Sequence, residues 1–208
     1  SRLLRIDENE AIRISYQYGG VRPTHRDNDE AQQRLSLLPF TLPPGTTAMT
    51  AKHRTYLERR HFDPVQLERD WGLLGTGPVA PLDNTDFKHR IVAPIYWGNQ
   101  RVSFQARDIT NKHPLRYITC SRQRERVHHK DILYGRQQDW NKQCGICVEG
   151  ITDVWRLGPL SFATFGIEYT NTQVGEMAKH FNHVFIIFDD EEQAQARAES
   201  LAFYLAGL

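Results

Sequence analysis

The sequence has few cysteines, no excess of charge of one sign and no long apolar run. Its three cysteines are too few for a framework of paired disulfides, and their number fits a reducing compartment. The formal net charge is only +1, so any nucleic-acid binding has to come from a local basic patch rather than from bulk charge. Because no segment resembles a signal sequence or a membrane span, we expect a cytoplasmic protein with no membrane partner.

Cys144 and Cys147 form a Cys-x-x-Cys pair, a spacing that is typical of zinc and redox sites. No second pair of cysteines or histidines follows at ligand spacing. Both cysteines also lie in an apolar run that leads to Glu149, so buried thiols in a strand explain them better. We therefore expect no zinc in this fragment.

Two short apolar runs in the last third of the sequence end abruptly in acidic residues. The run 144–148 leads into Glu149, and the run 183–188 leads into Asp189, Asp190 and Glu191. Runs rich in β-branched and aromatic residues fit fully buried parallel strands, whose carboxyl ends meet at one edge of a sheet. Carboxylates gathered there repel one another unless a cation neutralises them, and Mg²⁺ prefers oxygen ligands. The pattern therefore predicts a divalent-cation site.

Strand and helix patterns alternate across this part of the chain, which predicts a parallel sheet with right-handed crossovers. Predicted helices cover 152–157, 173–181 and 192–205, and predicted strands cover 144–148, 162–165 and 184–188. Upstream, Asp63 before Pro64 is typical of a helix N-terminus, and two β-rich runs flank a Gly98-Asn99 turn. Residues 1–22 have the pattern of a hairpin and residues 23–48 that of a linker.

The acidic residues resemble a known family. Glu149-Gly-Ile-Thr-Asp153 resembles the Glu-Gly-x-x-Asp signature of the Toprim domain, and Asp189-Asp190-Glu191 stands where that family has Asp-x-Asp. Toprim domains occur in primases, topoisomerases, nucleases and recombination proteins. Glu191 replaces the second Asp of the family, which keeps the charge but lengthens the side chain by one methylene.

Four upstream elements resemble those of DNA primases, and they follow in the family's order. Tyr56 to Phe62 resembles the "YLxxRGF" helix pair with His61 in place of Gly, 90–107 resembles the primase hairpin that ends in Arg107, Arg116-Tyr-Ile-Thr119 resembles "KYLN", and Lys130 to Gly135 resembles "K…LYG". Topoisomerases and recombination proteins of the family lack these elements. The ordered set therefore indicates the catalytic core of a bacterial or phage primase.

The resemblance implies an α/β fold. We expect a Toprim domain with a parallel sheet flanked by helices, preceded by a mixed α+β primase-type subdomain. The expected division is an N-terminal hairpin and linker over 1–48, the primase-type subdomain over 49–140 and the Toprim subdomain over 141–208, with its final strand missing. Because the sequence begins without Met, we expect a piece of a longer chain.

The resemblance also implies synthesis of RNA primers from NTPs on a single-stranded DNA template, with Mg²⁺ or Mn²⁺ as cofactor and a replicative helicase as a candidate partner. Glu149, Asp153, Asp189 and Glu191 are the expected catalytic residues, and Glu149, Asp189, Asp190 and Glu191 are the expected metal ligands. Arg107, Arg116 and Lys130, together with the loop residues Arg122, Arg124 and Arg126, are expected to bind nucleotide or DNA phosphates.

Three other interpretations remain open at this stage. A Toprim nuclease would use the same acids with water as the nucleophile. A non-catalytic Toprim module would bind nucleic acid without needing the acids. In the simplest interpretation the acids cap helices at strand ends and the basic loop is a solvated surface.

Overall fold

The computed structural model describes residues 38–207 except 136–139 and 141–142. The predicted hairpin over 1–22 lies outside the described residues, as does most of the predicted linker. The chain from Leu38 onward forms one compact unit. None of its described helices has the length and apolarity needed to cross a membrane.

The described elements confirm the mixed α/β class. The upstream elements are α1 (Ala51–Glu58), α2 (Pro64–Trp71), β1 (Leu74–Gly75), β2 (Pro81–Leu82), β3 (Thr85–Asp86), β4 (Arg90–Trp97), β5 (Gln100–Asp108), β6 (Tyr117–Thr119) and a 3₁₀ turn (His129–Asp131). The later elements are β7 (Cys144–Val148), α3 (Ile151–Leu157), β8 (Ser161–Ala163), α4 (Asn171–His180), β9 (His183–Ile187) and α5 (Glu192–Ala206).

Helix α2 begins where the sequence predicts. The Asp63 carboxylate accepts the backbone N–H groups of Val65 and Gln66, which satisfies two donors that the first turn leaves open. The helix ends at Gly72, whose φ of 62° is the left-handed conformation that glycine adopts without a Cβ penalty.

The upstream strands form an antiparallel sheet in the order β1-β4-β5-β6. Its centre is the predicted hairpin of β4 and β5 around Gly98, and the pairing places Arg107 opposite Ile91 on one side and Tyr117 on the other. The hairpin therefore carries Arg107 in its interior rather than at its tip.

The later strands form a parallel sheet in the order β8-β7-β9. Val148 pairs with both Ala163 and Ile187, so the residues that follow all three strands emerge at one edge. The prediction of a fully buried strand is wrong for β9, where Phe185 is 60% and Ile187 54% exposed. In the described part of the chain β9 pairs only with β7, and one of its faces is left uncovered.

One hydrophobic core runs through both predicted subdomains. It extends from Leu57 and Ile91 in the upstream part to Val148 and Trp155 in the later part. The Trp155 indole donates a hydrogen bond of 2.8 Å to the buried Tyr134 hydroxyl. This packing fixes the antiparallel sheet relative to the edge at which the acidic residues lie.

Candidate active site

Glu149 and Asp189 lie at the same edge of the parallel sheet, as the sequence predicts. Glu149 directly follows β7, and Asp189 lies two residues beyond β9. The Glu149 Oε1 atom accepts the backbone N–H of Asp189 at 2.7 Å. We call Glu149, Asp153, Asp189 and Glu191 the acidic edge. This hydrogen bond holds Glu149 against the segment that carries Asp189 and Glu191.

The members of the acidic edge repel one another. Desolvation raises the pKa of Glu149, and the nearby charges of Asp189, Asp153 and Glu191 raise it further, while the Asp189 N–H opposes the rise. Desolvation also raises the pKa of Asp153, again with a contribution from Asp189. A divalent cation would relieve this repulsion. Asp190 is exposed and is not among the main causes of either shift.

The acidic edge is open rather than tightly clustered. In the described ranges, the one group that brings three ligand atoms within 4.8 Å of one another is Glu125, His128 and His129, not the acids. Mg²⁺ usually keeps several waters and binds proteins through one or two carboxylates. Asp189 and Glu191 could hold such a hydrated ion, with the Glu149 carboxylate within electrostatic range of both.

Arg107 is buried between two tyrosines near the acidic edge. Its Nε donates to the Tyr56 hydroxyl at 2.6 Å, and its Nη1 donates to the Tyr117 hydroxyl. The guanidinium carbon also lies 5.7 Å and 4.8 Å from the two ring centroids. The Tyr117 hydroxyl is 3.3 Å from Thr152 Oγ1, and the Arg107 charge opposes the rise in the pKa of Asp153. In this arrangement Arg107 acts on the acidic edge through its charge.

Lys130 donates to three backbone carbonyls. Its Nζ lies 2.9 Å from Thr164 O, 3.1 Å from Phe165 O and 2.5 Å from Glu168 O, and burial lowers the pKa of the amine. The loop that it holds is bonded to the acidic edge, because the Gly166 N–H donates to the Glu149 carbonyl at 2.7 Å. Lys130 therefore positions the loop after β8.

The predicted basic loop does not present its arginines together. Arg124 forms an ion pair of 2.7 Å with Asp83 and also donates to the Pro39 carbonyl. Arg126 is exposed, and its Nη1 lies 3.5 Å from Gln100 Oε1. Arg116 and Arg122 are also exposed, and neither has a side-chain partner within the part of the chain that the structure describes.

A basic pocket of about 650 Å³ lies beside α1, and the sequence analysis does not predict it. Its lining includes Lys52, Thr55, Tyr56, Arg59, Arg60, His89, Thr110 and Asn111, and none of its described lining residues is acidic. The α1 residues recur every three or four positions, which places them on one helix face. That spacing is the signal that could have found the pocket. Tyr56 belongs both to the pocket and to the surroundings of Arg107.

Arg156 ties α3 to the turn that follows α1. Its two terminal nitrogens donate to the carbonyls of His61 at 3.0 Å and Arg60 at 2.7 Å, and its guanidinium carbon lies 4.0 Å from the Phe62 ring centroid. His61, which replaces the family's glycine, has a φ of 60° and thus takes the left-handed conformation that glycine favours. This contact fixes Asp153, in the same helix, relative to the basic pocket.

Cys144 and Cys147 are both in β7 and are free thiols. Successive side chains of a strand point to opposite faces, so residues three apart cannot meet. Burial raises the pKa of the Cys147 thiol. The prediction of strand thiols is confirmed for both residues, but only Cys147 is buried, and Cys144 is partly exposed.

No protein-family model matches the sequence, and no curated protein matches it either. Solved structures do match. The chain resembles the DnaG catalytic core with a TM-score of 0.62 and 20% identity, covering 83% of this chain and 63% of that one. It resembles the DnaG primase catalytic domain bound to ssDNA with a TM-score of 0.59 and 21% identity, covering 72% and 57%. It resembles the primase fragment of the bacteriophage T7 primase-helicase protein with a TM-score of 0.53 and 20% identity, covering 85% of this chain and 72% of that one.

These likenesses define the fold. The chain has the mixed α/β fold of a primase catalytic core, with a three-stranded parallel sheet flanked by helices. Its fold is thus that of a primase catalytic core, as the order of its sequence elements predicts. It spans 57% and 63% of the two DnaG chains.

Proposed function

We propose that this chain is the Toprim-containing catalytic core of a DNA primase, which makes RNA primers from NTPs on single-stranded DNA with Mg²⁺ or Mn²⁺. One observation carries the proposal. On a primase-like fold, Glu149 and Asp189 end neighbouring parallel strands and are joined by a hydrogen bond, with two more acids in electrostatic range. This arrangement is suited to a hydrated divalent ion and a triphosphate.

The reaction would be a phosphoryl transfer. The 3′ oxygen of the primer attacks the α-phosphorus of an NTP, a new oxygen–phosphorus bond forms, and the bond to pyrophosphate breaks. A bound Mg²⁺ or Mn²⁺ would neutralise the charge that develops on the phosphate oxygens. Asp189 and Glu191 would hold that ion. The raised pKa of Glu149 suits it to accept the proton of the attacking hydroxyl, directly or through water.

Different basic residues would bind or neutralise different phosphates. The basic pocket, with Lys52 on α1 and Arg59 and Arg60 in the turn that follows it, would hold template or nucleotide phosphates. Arg107 would keep its charge close to the acidic edge, where the triphosphate must lie. Arg116, Arg122 and Arg126 would add exposed contacts, whereas Arg124 is engaged by Asp83.

Replacing Glu149 with glutamine tests the catalytic role. The amide oxygen can still accept the Asp189 N–H, so the fold should survive while the charge is lost. With a single-stranded template, NTPs and Mg²⁺ or Mn²⁺, we expect primer synthesis to fall by at least about 100-fold and DNA binding to be retained. Glu199→Gln, an exposed position in α5, is the matched control and should keep full activity.

The same assay separates the other functions. Degradation of labelled single strands without NTPs would identify a nuclease that uses water as the nucleophile. DNA binding without synthesis or cleavage, unaffected by Glu149→Gln, would identify a binding module. Full activity of the Glu149→Gln variant would favour the simplest interpretation, in which the acids only cap helices.

The basic pocket has its own test. Arg59→Ala combined with Arg60→Ala should weaken single-stranded DNA binding and reduce its salt dependence by about one unit of slope for each phosphate that the protein no longer neutralises. Lys179→Ala removes an exposed charge in α4, far along the chain from the pocket, and should leave the slope unchanged. Equal slopes in all three proteins would exclude the pocket as a phosphate site.

A further inference from the structure

Glu125 is a buried carboxylate placed between two histidines. Its side chain is only 1% exposed, yet its Oε2 lies 2.6 Å from His128 Nδ1 and its Oε1 lies 2.7 Å from His129 Nδ1. The Ser103 hydroxyl donates to Oε1 at 2.6 Å. The resemblance to primases assigns no role to these residues, and the proposed reaction does not use them.

We propose that Glu125, His128 and His129 form a binding site for a zinc-class transition-metal ion. Their three ligand atoms lie within 4.8 Å of one another. Two imidazoles and one carboxylate are the protein ligands of a well-known type of zinc site, which leaves one position for water. The mixture of nitrogen and oxygen selects zinc, cobalt or nickel over Mg²⁺, which the all-carboxylate acidic edge suits.

The surroundings of the cluster fit a metal site in two further respects. Ser103 is fully buried and orients the carboxylate, the kind of supporting hydrogen bond that tunes a ligand. The histidine side chains are 24% and 17% exposed, so the open coordination position would face solvent. The carboxylate is also ionised at neutral pH. Burial alone would raise the pKa of Glu125, but its hydrogen bonds hold that pKa at about 2.

In the metal-free form the same atoms make hydrogen bonds. A tetrahedral ion separates its ligands by about 3.3 Å, given metal–ligand bonds of about 2 Å. The 2.6 Å and 2.7 Å contacts would therefore lengthen by about 0.6 Å, a side-chain movement that the partly exposed histidines permit. Both Nδ1 atoms would bind the ion through their lone pairs, so each ring would carry its proton on Nε2 in the bound form.

The cluster adjoins the acidic edge without being part of it. The His129 ring packs edge-on against Phe165, with centroids 5.3 Å apart. The next residue, Gly166, donates its N–H to the Glu149 carbonyl. A bound ion would thus stiffen the loop that supports Glu149. The absence of zinc expected from the sequence was argued from the cysteines, and this donor set contains none.

The experiment is a calorimetric titration of the chelator-treated full chain with Zn²⁺ in excess Mg²⁺, which occupies the acidic edge. We expect one Zn²⁺ per chain. His128→Ala and His129→Ala should each weaken the affinity by at least about 10-fold, since removing a group that merely supports a ligand already costs about 10- to 100-fold. Ser103→Ala should also weaken the zinc affinity, by about 10- to 100-fold. His183→Ala, an exposed histidine of β9, is the matched control and should bind as the unaltered chain does.

Two results would overturn the proposal. The first is no zinc binding by the unaltered chain. The second is binding that survives both histidine replacements, which would place the ion at the cysteines or at the acidic edge. If Glu149→Gln abolishes primer synthesis but leaves zinc affinity unchanged, the zinc site and the proposed catalytic function are independent.

Discussion

Replacing Arg156 with alanine measures how firmly α3 is tied to the turn after α1. The side chain makes two hydrogen bonds to backbone carbonyls, at 3.0 Å and 2.7 Å, and lies over the Phe62 ring. No other side chain of α3 is seen to donate to that turn among the described residues. Its removal leaves the two carbonyls of His61 and Arg60 to be solvated by water.

The expected loss of stability can be worked out from these interactions. A hydrogen bond contributes about 1 kcal/mol net, and an exposed cation–π interaction contributes about 0.5 kcal/mol or slightly more. Arg156 is exposed, so water replaces part of each interaction. We therefore expect Arg156→Ala to lower the free energy of unfolding by about 2 kcal/mol. Arg156→Lys keeps the charge but cannot span both carbonyls, and its effect should be about half as large.

Urea unfolding at neutral pH is the assay, with the slope m as a check that the unfolded state is unchanged. Arg69→Ala is the matched control, because Arg69 makes only an exposed ion pair with Asp70 and should have little effect. Combining Arg156→Ala with Phe62→Leu in a double-mutant cycle isolates the ring interaction, for which we expect a coupling of about 0.5 kcal/mol.

The tie between α3 and the turn also has a functional consequence. Asp153 and Thr152 are in α3, so a loosened helix should reduce primer synthesis more than DNA binding. If Arg156→Ala costs no more stability than Arg69→Ala, the Arg156 side chain does not hold α3, and the reasoning is wrong.

Three further predictions concern single positions. His61→Gly should leave the free energy of unfolding unchanged or raise it by up to about 1 kcal/mol in thermal denaturation, because relief of the left-handed conformation offsets the greater freedom of glycine in the unfolded chain. His61→Ala keeps the Cβ atom and should gain nothing, so a clear loss in the glycine variant would refute this explanation. Burial lowers the pKa of His53 below 6.5, so unfolding takes up a proton and stability should fall as pH decreases through 6.5. His53→Asn should remove that part of the pH dependence, and an identical profile in both proteins would contradict the assignment. Cys147→Ala should lower the free energy of unfolding by about 1 kcal/mol or more and Cys144→Ala by less, and neither should reduce primer synthesis. Activity that requires either thiol would instead support the metal or redox interpretation.

The parts that the sequence could predict are those fixed by local pattern and strand geometry. Asp63 and Pro64 specify a helix start within a few residues, and α2 begins there. An apolar run that stops at an acid indicates the end of a strand, and parallel neighbours bring such ends to one edge. Glu149 and Asp189 therefore meet although 40 residues separate them.

The parts that the sequence could not predict are the partners of its charged groups. Lys130 binds backbone carbonyls, which leave no trace in residue identity. Arg124 finds Asp83, 41 residues away, and is thereby withdrawn from the predicted basic loop. Glu125 and its histidines are close in sequence, but the burial that makes them a cluster comes from the packing around Ser103. A sequence shows that a charge is present, whereas the tertiary fold decides what neutralises it.

Three of the four primase-like elements are joined to the acidic signature by hydrogen bonds. Tyr56 comes from the first helix element, Arg107 from the hairpin, Tyr117 from the short strand after it and Thr152 from the acidic signature. These four side chains form one line of hydrogen bonds, from Tyr56 to Arg107, from Arg107 to Tyr117 and from Tyr117 to Thr152. The line connects the basic pocket, which Tyr56 helps to line, to the helix that carries Asp153. Each of these three elements supplies one member of the connection and the acidic signature supplies the fourth, so together they hold a positive pocket and an acidic edge in one geometry. Acids alone occur at the ends of many parallel strands, and under the proposed function this connection would bring to them the fixed positive charge that transfer of a phosphoryl group requires.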